Sequence, residues 1–221
     1  VRIKDKHGVQ QFLSDYPGMA LRPCRDDRTL MRGIFEFRAV PVNGSEICDQ
    51  YELELEIPSS FPKALPKVKE VGGKIPRDGD FHVNYDNTLC LGSPLKLFKK
   101  VSECPTIAGY AAKCIVPYLY AVSYKLRHGG SFVFSELAHG KQGVLDDYLR
   151  LLDLRSPGEV LDALELLGIK RRIANKLACP CKCGERLGSC NYHNKLNQFR
   201  KLTSRSWFKS HHRMLGAGEL L

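Results

Sequence analysis

Hydrophobic and polar residues alternate most regularly in the stretch YELELEI, where Tyr51, Leu53, Leu55 and Ile57 recur at period two and share one face of a strand. The same pattern places strands at 19–23 and 30–41, the second carrying Ile34, Phe35 and Phe37 among polar neighbours. Asn43-Gly44 marks the turn into the third strand. Upstream, residues 5–16 set Val9, Phe12, Leu13 and Tyr16 on one helical face, and Pro17-Gly18 ends that helix. Downstream, Pro58, Pro62 and Pro66 forbid a helix and punctuate a loop before a short strand at 68–71.

After Pro94 the pattern changes. Residues 105–127 read as helical, with Pro117 kinking or dividing the helix and Gly129-Gly130 breaking it. Two further amphipathic helices are predicted at 141–153 and 157–168, the second with Ser156 as its cap and Pro157 in its first turn. A helix, four antiparallel strands, a loop and C-terminal helices make an α+β fold with the helices segregated from the sheet. There is no internal repeat.

Charge divides this picture in two. Residues 170–221 hold twelve Lys and Arg against two acidic residues, which accounts for the whole formal charge of +10. The rest of the chain balances 22 against 22. A neutral domain at 1–168 and a basic extension at 169–221 are therefore expected, the extension facing an acidic surface or a polyanion. With 43% hydrophobic and 26% charged residues the composition is that of a globular protein. No run reaches the roughly 18–20 apolar residues of a membrane span, and the first residues lack an apolar signal-peptide core. The expectation is a cytoplasmic protein without a membrane partner.

Nine cysteines are many for 221 residues, and an odd number at irregular spacing does not form a secreted disulfide framework. Cys24, Cys48, Cys104 and Cys114 are read as core residues. Cys179, Cys181, Cys183 and Cys190 cluster within twelve residues, which favours a metal in a reducing compartment.

The ninth cysteine, Cys90, lies in FHVNYDNTLCLG, downstream of YELELEIPSSFPKALPKV. The order of an aliphatic strand, a proline loop, a His-x-Asn element and an aliphatic–Cys–Leu triplet resembles ubiquitin-conjugating enzymes, over residues 5–150 and most closely over 51–92. That resemblance implies the ubiquitin-conjugating fold and a thioester on Cys90. A thiol is needed there because a thioester retains the acyl-transfer potential that an amine can consume. The tetrahedral oxyanion also needs a positioned donor, worth on the order of 3 kcal/mol of transition-state stabilisation.

Two residues compete for the helper role. As a triplet, His82-Val83-Asn84 puts Asn84 in the donor's place; counted back from Cys90, His82 occupies it. The second count fits the prokaryotic branch of the family, where a histidine commonly serves; a histidine there could also deprotonate the incoming amine. The tryptophan usual after the cysteine is missing, and SPLKLFKK offers only Phe98. His139, at a helix entry, is assigned to capping or packing rather than catalysis.

The segment CPCKCGERLGSCNYH resembles the SEC-C zinc motif. That resemblance implies one structural zinc ion on Cys179, Cys181, Cys190 and His193, with Cys183 as a competing ligand. The following run, with Trp207 and Phe208 among Lys and Arg, fits either an amphipathic helix docking on an acidic protein or a nucleic-acid contact.

The resemblance implies a stand-alone prokaryotic enzyme that takes a protein C-terminus as a thioester and passes it to a lysine. Such relatives occur in antiphage operons, including cyclic-oligonucleotide signalling (CBASS) systems, where the protein attached is the nucleotidyltransferase. A separate activating enzyme is a further expected partner. Two other readings stand beside it: a non-catalytic adaptor of the same fold, and a zinc-dependent nucleic-acid-binding protein.

Overall fold

The computed structural model describes residues 6–24, 27–41, 44–130, 132 and 140–217. The chain divides into two compact units, Val1–Glu136 and Leu137–Leu221. The division falls ahead of the charge boundary: the helices expected at 141–153 and 157–168 belong with the basic segment. Their apolar faces are buried by helices of that segment, which links them to it more firmly than charge separates them.

In the first unit a 3-10 turn, Lys6–Gly8, leads into α1 (Val9–Asp15). Four strands follow: β1 (Met19–Arg22), β2 (Arg28–Ala39), β3 (Ile47–Pro58) and β4 (Lys67–Glu70). They form an antiparallel meander in the order β1-β2-β3-β4. Ala39 pairs with Ile47, so β3 starts four residues before the alternating stretch and the connection is longer than a two-residue hairpin. Asn43, expected at its turn, lies outside the described residues.

The period-two reading holds in detail. Tyr51, Leu53, Leu55 and Ile57 are all buried, and Met31, Phe35 and Phe37 join them from β2. Burying each such side chain contributes about 1.5–3 kcal/mol. Ile34 is an exception, exposed on the opposite face. That face is charged: Arg32 pairs with Glu52 at 2.7 Å and Arg28 with Glu56 at 2.6 Å. One apolar face accepts one layer of helices. Phe12 of α1 is buried there, and Tyr16, just beyond α1, stacks on Phe35 at 4.1 Å between ring centroids.

The rest of the layer comes from α2 (Pro94–Glu103), α3 (Ile107–Tyr110) and α4 (Val116–His128). A π-helical segment, Ala111–Ile115, joins α3 to α4. Pro117 follows directly on the π-helical segment, and the junction residues Ile115 and Val116 stay in the right-handed helical region, so the chain remains helical from Ile107 to His128 and the proline does not divide it. The lysines of LKLFKK conceal the apolar face of α2 in the sequence, yet the helix buries Leu95, Leu97, Phe98 and Val101.

The second unit is helical: α5 (Gly140–Leu152), α6 (Pro157–Gly168), α7 (Arg171–Ala174), α8 (Tyr192–Phe199) and α9 (Arg205–Gly216). Ser156 caps α6 as expected, its Oγ accepting the Glu159 N–H at 3.3 Å. The other end of α6 is closed by Arg200, which donates to the carbonyls of Leu166, Leu167 and Ile169. No helix among the described residues is long and apolar enough to cross a membrane.

Candidate functional site

The segment carrying Cys90 is fastened to the edge of the sheet. Leu89 N–H donates to Val68 O at 2.8 Å, and Thr88 bridges Lys69, so the segment extends β4 outward. Upstream, the 3-10 turn Gly79–Phe81 is capped by Asp78, whose side chain accepts the Phe81 N–H. His82 then takes a left-handed conformation, with φ 53°, and reverses the chain. Val83 bridges Leu89, and Cys90 N–H donates to His82 O at 2.8 Å. A tight hairpin therefore sets His82 directly across from Cys90.

Asn84 lies in the turn of this hairpin. Its backbone N–H donates to Thr88 O and its side-chain amide to Thr88 Oγ1 at 2.9 Å. Asp86 accepts from both the N–H and the hydroxyl of Thr88. These bonds hold its carboxyl below the usual carboxylate range. The Asn84 amide is thus occupied in building the turn. At the tip, Tyr85 is fully exposed.

Cys90 itself is half-buried, and burial pushes its thiol above the ordinary cysteine range. The Gly92 N–H, hydrogen-bonded to the sulfur, works in the opposite direction by favouring thiolate. Around it stand residues that the sequence reading did not single out. Tyr118 of α4 donates to Phe81 O at 2.7 Å. The His82 ring meets Phe132 edge-on at 4.8 Å, and Lys125 donates to Asp80 O at 2.9 Å. Tyr118 and Lys125 come from a helix some 30 residues downstream, and no local pattern signals their approach.

Among the other cysteines, Cys114 is buried as expected of a core residue, and Cys104 is half-buried. Cys24 and Cys48 are exposed instead: Cys24 lies just beyond β1, and Cys48, paired with Arg38 in β3, falls on the face opposite Tyr51 and Leu53. His139 lies outside the described residues.

The second constellation is the cysteine cluster. Leu177–Cys179 pairs back on Glu185–Leu187: Leu187 N–H donates to Leu177 O and Cys179 N–H to Glu185 O. The loop between them turns through Lys182 (φ 57°) and Gly184 (φ 86°). It brings Cys179, Cys181, Cys183 and Cys190 together, with all four sulfurs within 4.8 Å of one another. Tetrahedral coordination at about 2.3 Å sets ligand sulfurs about 3.8 Å apart. The Cys181–Cys190 distance of 3.7 Å meets that, and Cys179–Cys181 is closer at 3.1 Å. Four convergent thiols can therefore hold a metal ion. Burial pushes the Cys179 and Cys181 thiols up, while the Glu185 N–H lowers that of Cys183.

The converging set includes Cys183, the competing ligand of the sequence pattern. The His193 Nδ1–H donates to Cys190 O at 2.7 Å, so the ring supports the knuckle's backbone through that nitrogen. The two positive-φ residues flanking Cys183 are what turn it inward.

No family model, no curated protein and no solved structure matches the chain. The mixed α+β architecture and the cysteine cluster therefore rest on the molecule's own geometry.

Proposed function

We propose that the first unit is a ubiquitin-conjugating-like acyltransferase of a prokaryotic, stand-alone type, with Cys90 as the acyl-carrying nucleophile. The observation that carries the reading is the hairpin that sets Cys90 across from His82 at the sheet edge. The meander with helices on one face and the proline loop ahead of β4 are further support.

The chemistry runs in two transfers. The Cys90 thiolate attacks the carbonyl of a protein C-terminus activated as an acyl adenylate by a separate enzyme; the C–S bond forms and AMP leaves. A lysine amine then attacks the thioester, the C–N bond forms, and the sulfur departs as thiolate. His82 accepts the amine proton or donates to the oxyanion. Asn84 holds the turn that presents both. The protein transferred is a nucleotidyltransferase of an antiphage system, and the product is an isopeptide.

The second unit adds a structural zinc ion on Cys179, Cys181, Cys183 and Cys190. A closed all-thiolate site supplies folding energy rather than chemistry.

One observation favours a second reading, a non-catalytic adaptor of the same fold: burial raises the Cys90 thiol, which lowers the thiolate fraction at neutral pH. Trapping separates the two. Denaturing, non-reducing gels of the chain from its native host are expected to show an adduct that thiol reductants cleave. The Cys90→Ser variant would turn it into a reductant-resistant oxyester, and Cys90→Ala would abolish it. An adduct that persists in Cys90→Ala, or none with wild-type chain and its neighbouring gene products, refutes the acyltransferase.

A further inference from the structure

The second unit holds a cavity of about 470 Å³ between the C-terminal end of α6, α7 and the start of α9. Its size is that of a small-ligand site. Leu167, Thr203 and Phe208, all buried, form the floor. Lys170, Arg171, Arg200 and Arg205 form the wall, and no carboxylate lines it.

Four cations facing one cavity is an unfavourable arrangement without a counter-charge. Burial disfavours Arg200 as a cation, and the neighbouring Arg171 and Arg205 add to this, so its pKa is lowered. Arg200 has a structural role, since its guanidinium closes the end of α6. The others have none of that kind. Lys170, Arg171 and Arg205 are exposed, and among the described residues none forms an ion pair with an Asp or Glu. Elsewhere in this unit, by contrast, Lys182 and Lys195 do find carboxylates, Asp162 and Asp153. What sets Lys170, Arg171 and Arg205 apart is that they gather with Arg200 at one cavity. The positive end of α9, which opens at Arg205, adds to the same field.

We infer that this cavity binds a phosphate ester, with Arg171 and Arg205 contacting the phosphate oxygens and the apolar floor taking the adjoining organic group. Arginine suits this task because its planar fork matches phosphate geometry and its charge never titrates away. Phosphate esters come from two sources, a polynucleotide backbone and a free nucleotide, and both join a phosphate to an organic group that a cavity of this volume can hold. The inference is independent of the chemistry at Cys90 and survives or fails separately from it.

The test uses the full chain with its metal. Binding of a labelled single-stranded RNA of roughly 20 nucleotides is followed by anisotropy at about 50 mM salt, where phosphate contacts are strong. ADP and inorganic phosphate are titrated by calorimetry, and poly-glutamate serves as a non-phosphate polyanion. Binding of RNA or ADP is expected, weakened about tenfold or more by Arg171→Glu and by Arg205→Glu and unchanged by Arg22→Glu in the other unit. The charge-neutral Arg205→Gln should give a smaller loss, and circular dichroism verifies that each variant is folded. Binding of RNA alone assigns a polymer backbone; binding of ADP assigns a free nucleotide; binding of phosphate alone assigns the anion contact without the floor. The proposal is overturned if none of the three binds, if both glutamate variants bind as wild type does, or if poly-glutamate binds as tightly with the same sensitivity. The last outcome would mark an acidic protein surface as the occupant.

Discussion

The amide of Cys90 is bonded to the carbonyl of His82 at 2.8 Å, so the residue read as nucleophile and the residue read as helper face each other across one rung of a hairpin. The bond uses backbone atoms only. Replacing the His82 side chain leaves it in place, which lets the imidazole be tested without dismantling the loop.

Because of that separation, His82→Ala and Asn84→Ala should fail in different ways. Loss of His82 is expected to slow discharge of a Cys90 thioester to lysine about 10²-fold or more, the usual range for a general base, with little change in melting temperature. Loss of Asn84 removes a bond to Thr88 that builds the turn, and should cost about 1 kcal/mol of stability. Single-turnover discharge alongside thermal melts separates the two. Equal slowing by both variants at unchanged stability would return the oxyanion role to Asn84.

Cys90 reactivity should report its burial. Its thiol is raised, so at neutral pH less of it is thiolate than in a free cysteine, and alkylation by iodoacetamide is expected to lag behind exposed Cys24 and Cys48. The rate should climb with pH and reach its half-maximum above the ordinary cysteine pKa of about 8.5. Peptide mass spectrometry over a pH series measures it. Labelling of Cys90 ahead of Cys24 would mean that the Gly92 N–H outweighs burial.

How far the sequence could be read follows from the range of each interaction. The strands were legible because period-two burial is local, and the cap of α6 because Ser156 and Pro157 announce it. The helix α2 was missed although Ser93-Pro94 carries a start signal, because its lysines masked an apolar face that only the sheet reveals. Tyr118 could not be placed beside residues 81–90 by any local rule. The convergence of Cys183 on the other three cysteines goes with two backbone angles, at Lys182 and Gly184, and only Gly184 advertises itself.

The knuckle should bind one zinc ion per chain, measured by elemental analysis. Cys181→Ser and Cys190→Ser are expected to abolish binding and lower the melting temperature of the second unit, as should strong chelators, because metal affinity there is folding energy. Cys183→Ser should do the same, whereas His193→Ala should keep the metal and lose only the stability of a bond to Cys190 O, about 1 kcal/mol. Full loss of zinc in His193→Ala with retention in Cys183→Ser would restore the histidine as ligand.

Acid should weaken the second unit through His211. Its ring is buried, stacks on Trp207 at 4.4 Å and lies 2.8 Å from the Tyr148 hydroxyl through Nε2. Burial lowers its pKa to about 4, against about 6.5 in the unfolded chain. Above pH 6.5 both states are neutral and the full stability is present. As pH falls from about 6.5 to about 4, only the unfolded chain takes up the proton, so stability drops; below about 4 both are protonated and the loss levels off. A shift of this size corresponds to about 3 kcal/mol. Denaturant midpoints of the second unit, followed by Trp207 fluorescence, should decline over that window. In His211→Gln, which keeps a polar partner for Tyr148 without a titrating group, the decline should flatten. A wild-type midpoint that stays level across the window would show that the ring is protonated, or solvated, in the folded chain.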